Sequence, residues 1–130
     1  MATNSKQDRL IGCGIADVAA RFLANELIET GITATGTTLA TGYAIKSDYV
    51  HFGTVASSTG ATLPDWPVGT VIEVDNGGVN TLNVFPPSAS QQIDTGTSAG
   101  SGGAAQTIAT AKSGRFRRTS ATVWRYVLLN

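Results

Sequence analysis

The stretch Gly69–Pro87, GTVIEVDNGGVNTLNVFPP, decides the fold class that this sequence predicts. Apolar and polar residues alternate on both sides of its Asn-Gly-Gly tripeptide at positions 76–78. A period of two is typical of a strand with one buried face, and Asn and Gly accept the positive φ angles of a tight turn. The stretch therefore predicts an antiparallel β-hairpin with a core-facing apolar side. The residues on that side are Ile72, Val74, Leu82 and Val84.

The same strand pattern continues along most of the chain, where helical periodicity is essentially absent. Short alternating or apolar segments are separated by stretches rich in Gly, Pro, Ser and Asp, which favour turns. Together with the hairpin they predict a mainly β protein, a compact jelly-roll-like β-sandwich of about eight short antiparallel strands. Outside the hairpin, the segments lie at residues 42–45, 48–55, 61–64, 91–95, 105–111, 115–119 and 122–129.

The N-terminal part of the sequence has a different pattern. Apolar residues recur at helical spacing between residues 10 and 28, and Gly31 supplies a plausible end to a helix. We therefore predict an N-terminal arm with an amphipathic helix at residues 1–33 and a β-sandwich domain at 34–130. The apolar stripe either packs on the domain's own sheet or docks against another subunit. Its main residues are Ile11, Ile15, Val18 and Phe22.

Composition and charge limit the kinds of partner and the cellular compartment that the sequence predicts. The chain has 130 residues, of which 14% are charged, and its formal net charge is zero. A neutral total gives no reason to expect nucleic acid or a membrane surface as partner. The single Cys13 excludes an internal disulfide framework, and the polar N-terminus without a signal-peptide pattern indicates synthesis in a cytoplasm.

The charges are nevertheless distributed unevenly. Every acidic residue lies at or before Asp94, so the last part of the chain carries only cations. These cations either pair with acids on neighbouring strands or form a basic face for an acidic partner. They are Lys112, Arg115, Arg117, Arg118 and Arg125.

A search for catalytic groups gives no convincing constellation. His51 is the only histidine, and a single histidine on a strand is more often structural than catalytic. The carboxylates sit at strand ends and turns, which is typical of solvated faces and turn caps rather than of a paired acid and base. We therefore predict a protein that is not an enzyme and has no cofactor or metal. The carboxylates considered are Asp65, Glu73, Asp75 and Asp94.

One set of segments carries a family resemblance. It consists of the strand and Gly-Thr-rich loop of residues 50–60, the TLP segment at 62–64, the hairpin, the IDTG turn at 93–96, and the closing GRF and WRYV segments. Together these segments resemble the small β-domain of tailed-phage virion proteins. Residues 10–27 are also similar to the short helical leader of such proteins.

This resemblance implies a head decoration or cement protein on the outer surface of a capsid. Its partners would be the major capsid protein and further copies of itself, as a dimer or trimer. The interface residues would be Ile11, Ile15, Val18 and Phe22, with Arg115, Arg117 and Arg118 as a second candidate set.

Two other classes of function stay open at this point. A receptor- or glycan-binding domain of a tail fibre or spike would use the loop tips at residues 57–60 or 96–103, with exposed aromatic side chains such as Trp66 near them. A small hydrolase acting on polysaccharides would need Glu73, Asp75 or Asp94 to converge in a cleft.

Overall fold

A computed structural model describes residues 27–95 and 100–130 of the chain, and these residues form ten strands and no helix. The strands are β1 (Ile28–Thr33), β2 (Tyr43–Ala44), β3 (Tyr49–Thr54), β4 (Gly60–Thr62), β5 (Val71–Asn76), β6 (Leu82–Phe85), β7 (Gln92–Asp94), β8 (Gln106–Ile108), β9 (Lys112–Arg118) and β10 (Val123–Leu128).

The first six strands alternate between two sheets. The larger sheet has six strands in the order β1-β3-β5-β9-β10-β7, and the smaller has four in the order β2-β4-β6-β8. β1, β3 and β5 are parallel to one another, and so are β2, β4 and β6. The chain therefore winds through three coils of a flattened solenoid, in which each coil contributes one strand to each sheet.

The C-terminal strands close the last of these coils. β9 pairs antiparallel with β5, and β8 pairs antiparallel with β6, so both strands of the third coil are covered. β10 then pairs antiparallel with β9, and β7 adds to β10 in the parallel direction. The second half of the chain thus acts as a cap that leaves no open edge on the third coil.

The core lies between the two sheets and continues beneath the cap. The indole N–H of Trp124 donates to Gln91 Oε1 at 2.9 Å, so this large buried side chain keeps its polar atom paired. Each fully buried aliphatic or aromatic side chain contributes ~1.5–3 kcal/mol by leaving water, which makes this cluster the main stabilising feature. Its largest apolar members are Val50, Phe52, Val55, Leu63, Ile72, Val74, Leu82, Val84, Ile108, Phe116 and Trp124.

The prediction that the two strands of Gly69–Pro87 pair as a hairpin is wrong. Both strands are present in the structure, and each buries the face that the sequence predicts. The two strands are β5 and β6, which belong to different sheets and do not pair with each other. Gly77 and Gly78 do not have the positive φ angles of a two-residue hairpin turn. The stretch is an arch that carries the chain from one sheet to the other.

Close packing explains the two glycines of this arch. A Cβ atom at Gly77 would lie 2.5 Å from His51 Nε2, and one at Gly78 would lie 2.6 Å from the Cβ atom of Val55. Asn80 Nδ2 also donates to the Val55 carbonyl at 2.9 Å. The arch between β5 and β6 therefore stacks directly on the arch between β3 and β4.

The prediction of a mainly β protein with two layered sheets is confirmed for the described residues, but the prediction of a purely antiparallel sandwich is wrong. Among the strands described, five of the eight pairings are parallel. The alternation of buried and exposed residues marks a strand and its faces, and it is the same whether the neighbouring strand runs parallel or antiparallel. The jelly-roll connection pattern is accordingly absent from the described residues.

The segment around Gly31 is also different from the prediction. Residues 28–33 form β1 rather than the end of a helix and of an N-terminal arm, and Gly31 has a φ of 67° within that strand. β1 pairs with β3, and Ile32 packs against the core. Residues 28–33 therefore belong to the β-domain, while the rest of the predicted helix lies outside the described residues.

Candidate functional site

The fold brings together a serine, an aspartate and a histidine on the outer face of the six-stranded sheet, the face that points away from the four-stranded sheet. His51 and Asp75 are cross-strand partners, with 3.7 Å between Nε2 and Oδ2, and Ser113 Oγ donates to Asp75 Oδ1 at 2.7 Å. The carboxylate stands between the other two residues. Because no contact joins the hydroxyl to the imidazole, the trio lacks the nucleophile–base pair of a catalytic triad.

The remaining carboxylates are held by separate partners. Glu73 Oε1 accepts from Arg115 at 2.7 Å, and Asp65 Oδ1 accepts from Arg118 at 2.9 Å. Asp94 accepts from the Gly100 backbone N–H at 2.7 Å; this hydrogen bond, followed by smaller contributions from Gln92 and the Arg125 charge, lowers the pKa of Asp94. Each of these carboxylates therefore takes part in its own local contact, and the three do not converge in one cleft.

A groove of about 550 Å³ lies on this outer face. Its floor is formed by residues of β3, β5 and β9, including Tyr49, Glu73, Arg115 and Arg117. One wall is the connection of residues 66–70, which leads into β5. The groove combines aromatic, aliphatic and charged side chains, a mixture that is typical of protein interfaces.

Arg118 fixes the wall of the groove in place. Its guanidinium donates to Asp65 Oδ1 and to the carbonyls of Trp66, Ser120 and Ala121, and its side chain is only 12% exposed. Its backbone also exchanges hydrogen bonds with Gly69 and Thr70. A guanidinium can satisfy several acceptors at fixed angles, so the wall is pre-organised before any partner arrives.

The three arginines predicted for an interface therefore have different roles. Arg118 is structural and does not line the groove. Arg115 lines the groove but is paired with Glu73. Arg117 lines the groove, is exposed, and has no ion-pair partner among the described residues. The strand pattern correctly places Arg115 and Arg117 together, whereas the acid that each arginine meets depends on long-range pairing.

An exposed row of side chains crosses the same face. Successive cross-strand partners are Ile28 on β1, Tyr49 on β3, Glu73 on β5, Arg115 on β9 and Val127 on β10. Ile28 and Val127 are more than half exposed at the two ends of the row. The described part of the chain therefore leaves more than half of the Val127 side chain open to solvent.

The apolar residues of the N-terminal arm and the loop tips are the remaining predicted binding features. Ile11, Ile15, Val18 and Phe22 lie outside the described residues, so their interface role stays a prediction. The tip at residues 57–60 carries no aromatic side chain, and Trp66 lines the groove in a half-buried position.

The described part of the chain also bears on metal binding and on membrane spans. No group of three His, Cys, Asp or Glu side chains there lies in an arrangement that could hold a metal ion. None of the described segments is a helix of the length and apolarity needed to cross a bilayer.

Comparisons of the chain with protein-family models, with curated proteins and with solved structures gave no match.

Proposed function

We propose that the protein is a head decoration, or cement, protein that binds the outside of a phage capsid and ties neighbouring major capsid subunits together. The observation that carries this proposal is the open outer face of the six-stranded sheet, with its rigid-walled groove and its exposed row from Ile28 to Val127. Within the described residues this face is left uncovered, and its row combines Ile, Tyr and Val with the ion pair of Glu73 and Arg115; Tyr and Arg are enriched at protein interfaces.

The choice of a capsid as partner rests on the resemblance of the sequence to tailed-phage virion proteins. The physical properties of the chain agree with it, since a neutral protein with few charged residues is suited to close contact with protein neighbours. The solenoid also makes the domain rigid, because main-chain hydrogen bonds hold every coil to the next. Rigid binders lose less entropy when they dock, and this favours stable attachment.

The mechanism in this proposal is additive. Each copy buries a modest area on the shell, and a dimer or trimer that bridges several subunits gains avidity because its second contact becomes intramolecular. The shell then resists internal pressure through many weak links. In this proposal the protein is made in the host cytoplasm and acts on the outer surface of the virion.

The test uses purified chain and expanded capsids that were assembled without it. Wild-type protein should add to the capsids at saturating, stoichiometric occupancy, measured by sedimentation. Val127→Asp places a charge in the exposed row and should abolish binding, whereas Thr107→Asp, an equivalent change at an exposed position on the four-stranded sheet, should leave it unchanged. Absence of wild-type binding, or equal binding by both variants, would refute the proposal. Binding to a glycan array would favour a tail-fibre role instead.

A further inference from the structure

Two arginines face each other across neighbouring strands on the outer face of the large sheet. Arg117 on β9 and Arg125 on β10 are direct cross-strand partners, and both are exposed. Like charges in directly opposite positions destabilise a sheet. Such an arrangement costs free energy in the isolated chain and is relieved when an anion binds beside it.

The acids nearby are already engaged by other groups, and Asp48, which lines the groove, accepts from the Leu27 backbone N–H at 2.8 Å. Glu73 is bound to Arg115 at 2.7 Å, and Asp65 is bound to Arg118 at 2.9 Å. Asp94 is the cross-strand partner of Arg125, and its pKa is lowered by its own hydrogen bonds and by that arginine. Within the described residues, Arg117 therefore has no ion-pair partner of its own, although Glu73 and Asp48 line the same groove.

The surroundings of Arg117 also limit the kind of anion that fits. The groove that it lines contains Trp66, Tyr49 and Val71, which offer apolar contact beside the guanidinium. It also contains Glu73 and Asp48, whose negative charges disfavour a phosphate backbone with many charges. A single carboxylate carried next to an apolar side chain matches both features.

We propose that the groove accepts a loop of the partner protein through one Asp or Glu side chain, which pairs with Arg117 while a neighbouring apolar side chain packs against Trp66 and Tyr49. The planar guanidinium can hold a carboxylate by two parallel hydrogen bonds. This inference rests on the proposed function for the identity of the partner, the capsid, but the chemistry of the groove is independent of it.

The first experiment measures capsid binding by three variants. Arg117→Ala should weaken binding about tenfold or more, because the partner's carboxylate is left unpaired in the interface. Arg117→Lys should restore it only in part, since an ammonium lacks the planar fork. Lys112→Ala is the matched control: it removes one exposed cation from the other end of β9, outside the groove, and should have no effect. Equal affinities of the Arg117→Ala and Lys112→Ala variants would overturn the inference.

The second experiment needs no capsid. The dipeptide acetyl-glutamyl-leucine amide is titrated into the full chain while the Nε–H resonances of the arginines are followed by NMR. The Arg117 resonance should shift with saturation, the Arg118 resonance should not, and acetyl-glutaminyl-leucine amide should have no effect. Lack of an Arg117 shift would refute the inference even if capsids bind. A shift without capsid binding would support the groove chemistry and refute the proposed function.

Discussion

Asn76 is expected to be the most sensitive polar residue of the fold, because it closes the arch between the two sheets. Its side chain is fully buried at the end of β5. Nδ2 donates to the carbonyls of Asn80 and Ile108 at 2.9 Å each, and Oδ1 accepts from the Gly78 N–H at 3.0 Å. One side chain thus joins the arch to β8 of the opposite sheet, and Asn76→Ala is the perturbation that tests this role.

The magnitude follows from the number of hydrogen bonds. Each contributes ~0.5–1.5 kcal/mol net, and a buried group left unpaired costs ~1–3 kcal/mol, so a total loss of about 3–4 kcal/mol is expected for Asn76→Ala. With a urea dependence of ~1–3 kcal/mol per molar for a small protein, the unfolding midpoint should fall by roughly 2 M. This is a large share of the ~5–15 kcal/mol that stabilises a typical domain.

Urea unfolding followed by circular dichroism is the assay, and Asn83→Ala is the control. Asn83 donates from Nδ2 to the Ser58 carbonyl at 3.2 Å, at an exposed contact, so its replacement should cost about 0.5 kcal/mol or less. If Asn76→Ala costs no more than Asn83→Ala at the same urea dependence, the argument that the buried asparagine holds the arch is wrong.

Two further predictions concern charged residues. Arg118→Ala should destabilise the chain by about 2 kcal/mol through lost charged hydrogen bonds. Arg115→Ala should cost less than about 1 kcal/mol, because its ion pair is exposed. Equal losses of unfolding free energy in urea would contradict the role of Arg118 in holding the wall of the groove. Burial raises the pKa of Glu29, but hydrogen bonds from donors that include Tyr43 and Ser47 outweigh it and lower the pKa below 4.5. A carboxyl whose pKa is lower in the folded than in the unfolded chain stabilises the fold at pH values above its unfolded pKa, and this stability is lost as the pH falls through the folded pKa. The Glu29→Gln variant should therefore lose less stability than wild type between about pH 5 and pH 3. Identical acid-unfolding profiles of the two proteins would contradict this.

The sequence predicts which residues form strands and which of them face the core better than it predicts which strands pair with each other. Ile72, Val74, Leu82 and Val84 are all fully buried as their alternation indicates. The direction of pairing was missed because parallel coils and antiparallel hairpins share that alternation. The stacking of the arches separates the two arrangements in the structure, since Gly78 and Asn80 contact Val55 of the preceding arch, but the sequence carries no direct sign of this contact.

The same limit applies to the candidate site. The sequence places Arg115 and Arg117 on one face because they are two residues apart on a strand. It cannot show that Arg115 meets Glu73, that Arg118 meets Asp65, or that Arg117 meets Arg125, since each pairing joins residues distant in the chain. Long-range strand order therefore decides which cation is available to a partner.

The edges of the two sheets explain why association through a face is the expected mode of binding. β1, at one edge of the large sheet, is interrupted by register shifts and by Gly31 in a left-handed conformation. The other edge strands, β2, β7 and β8, contain only two or three residues each. Bulged or very short edges cannot template a long added strand, and proteins use both devices to prevent edge-to-edge polymerisation. A partner of this chain is therefore expected to dock on the outer face of the large sheet. There the wall of the groove is held by Arg118, and Arg117 has no ion-pair partner within residues 27–95 and 100–130.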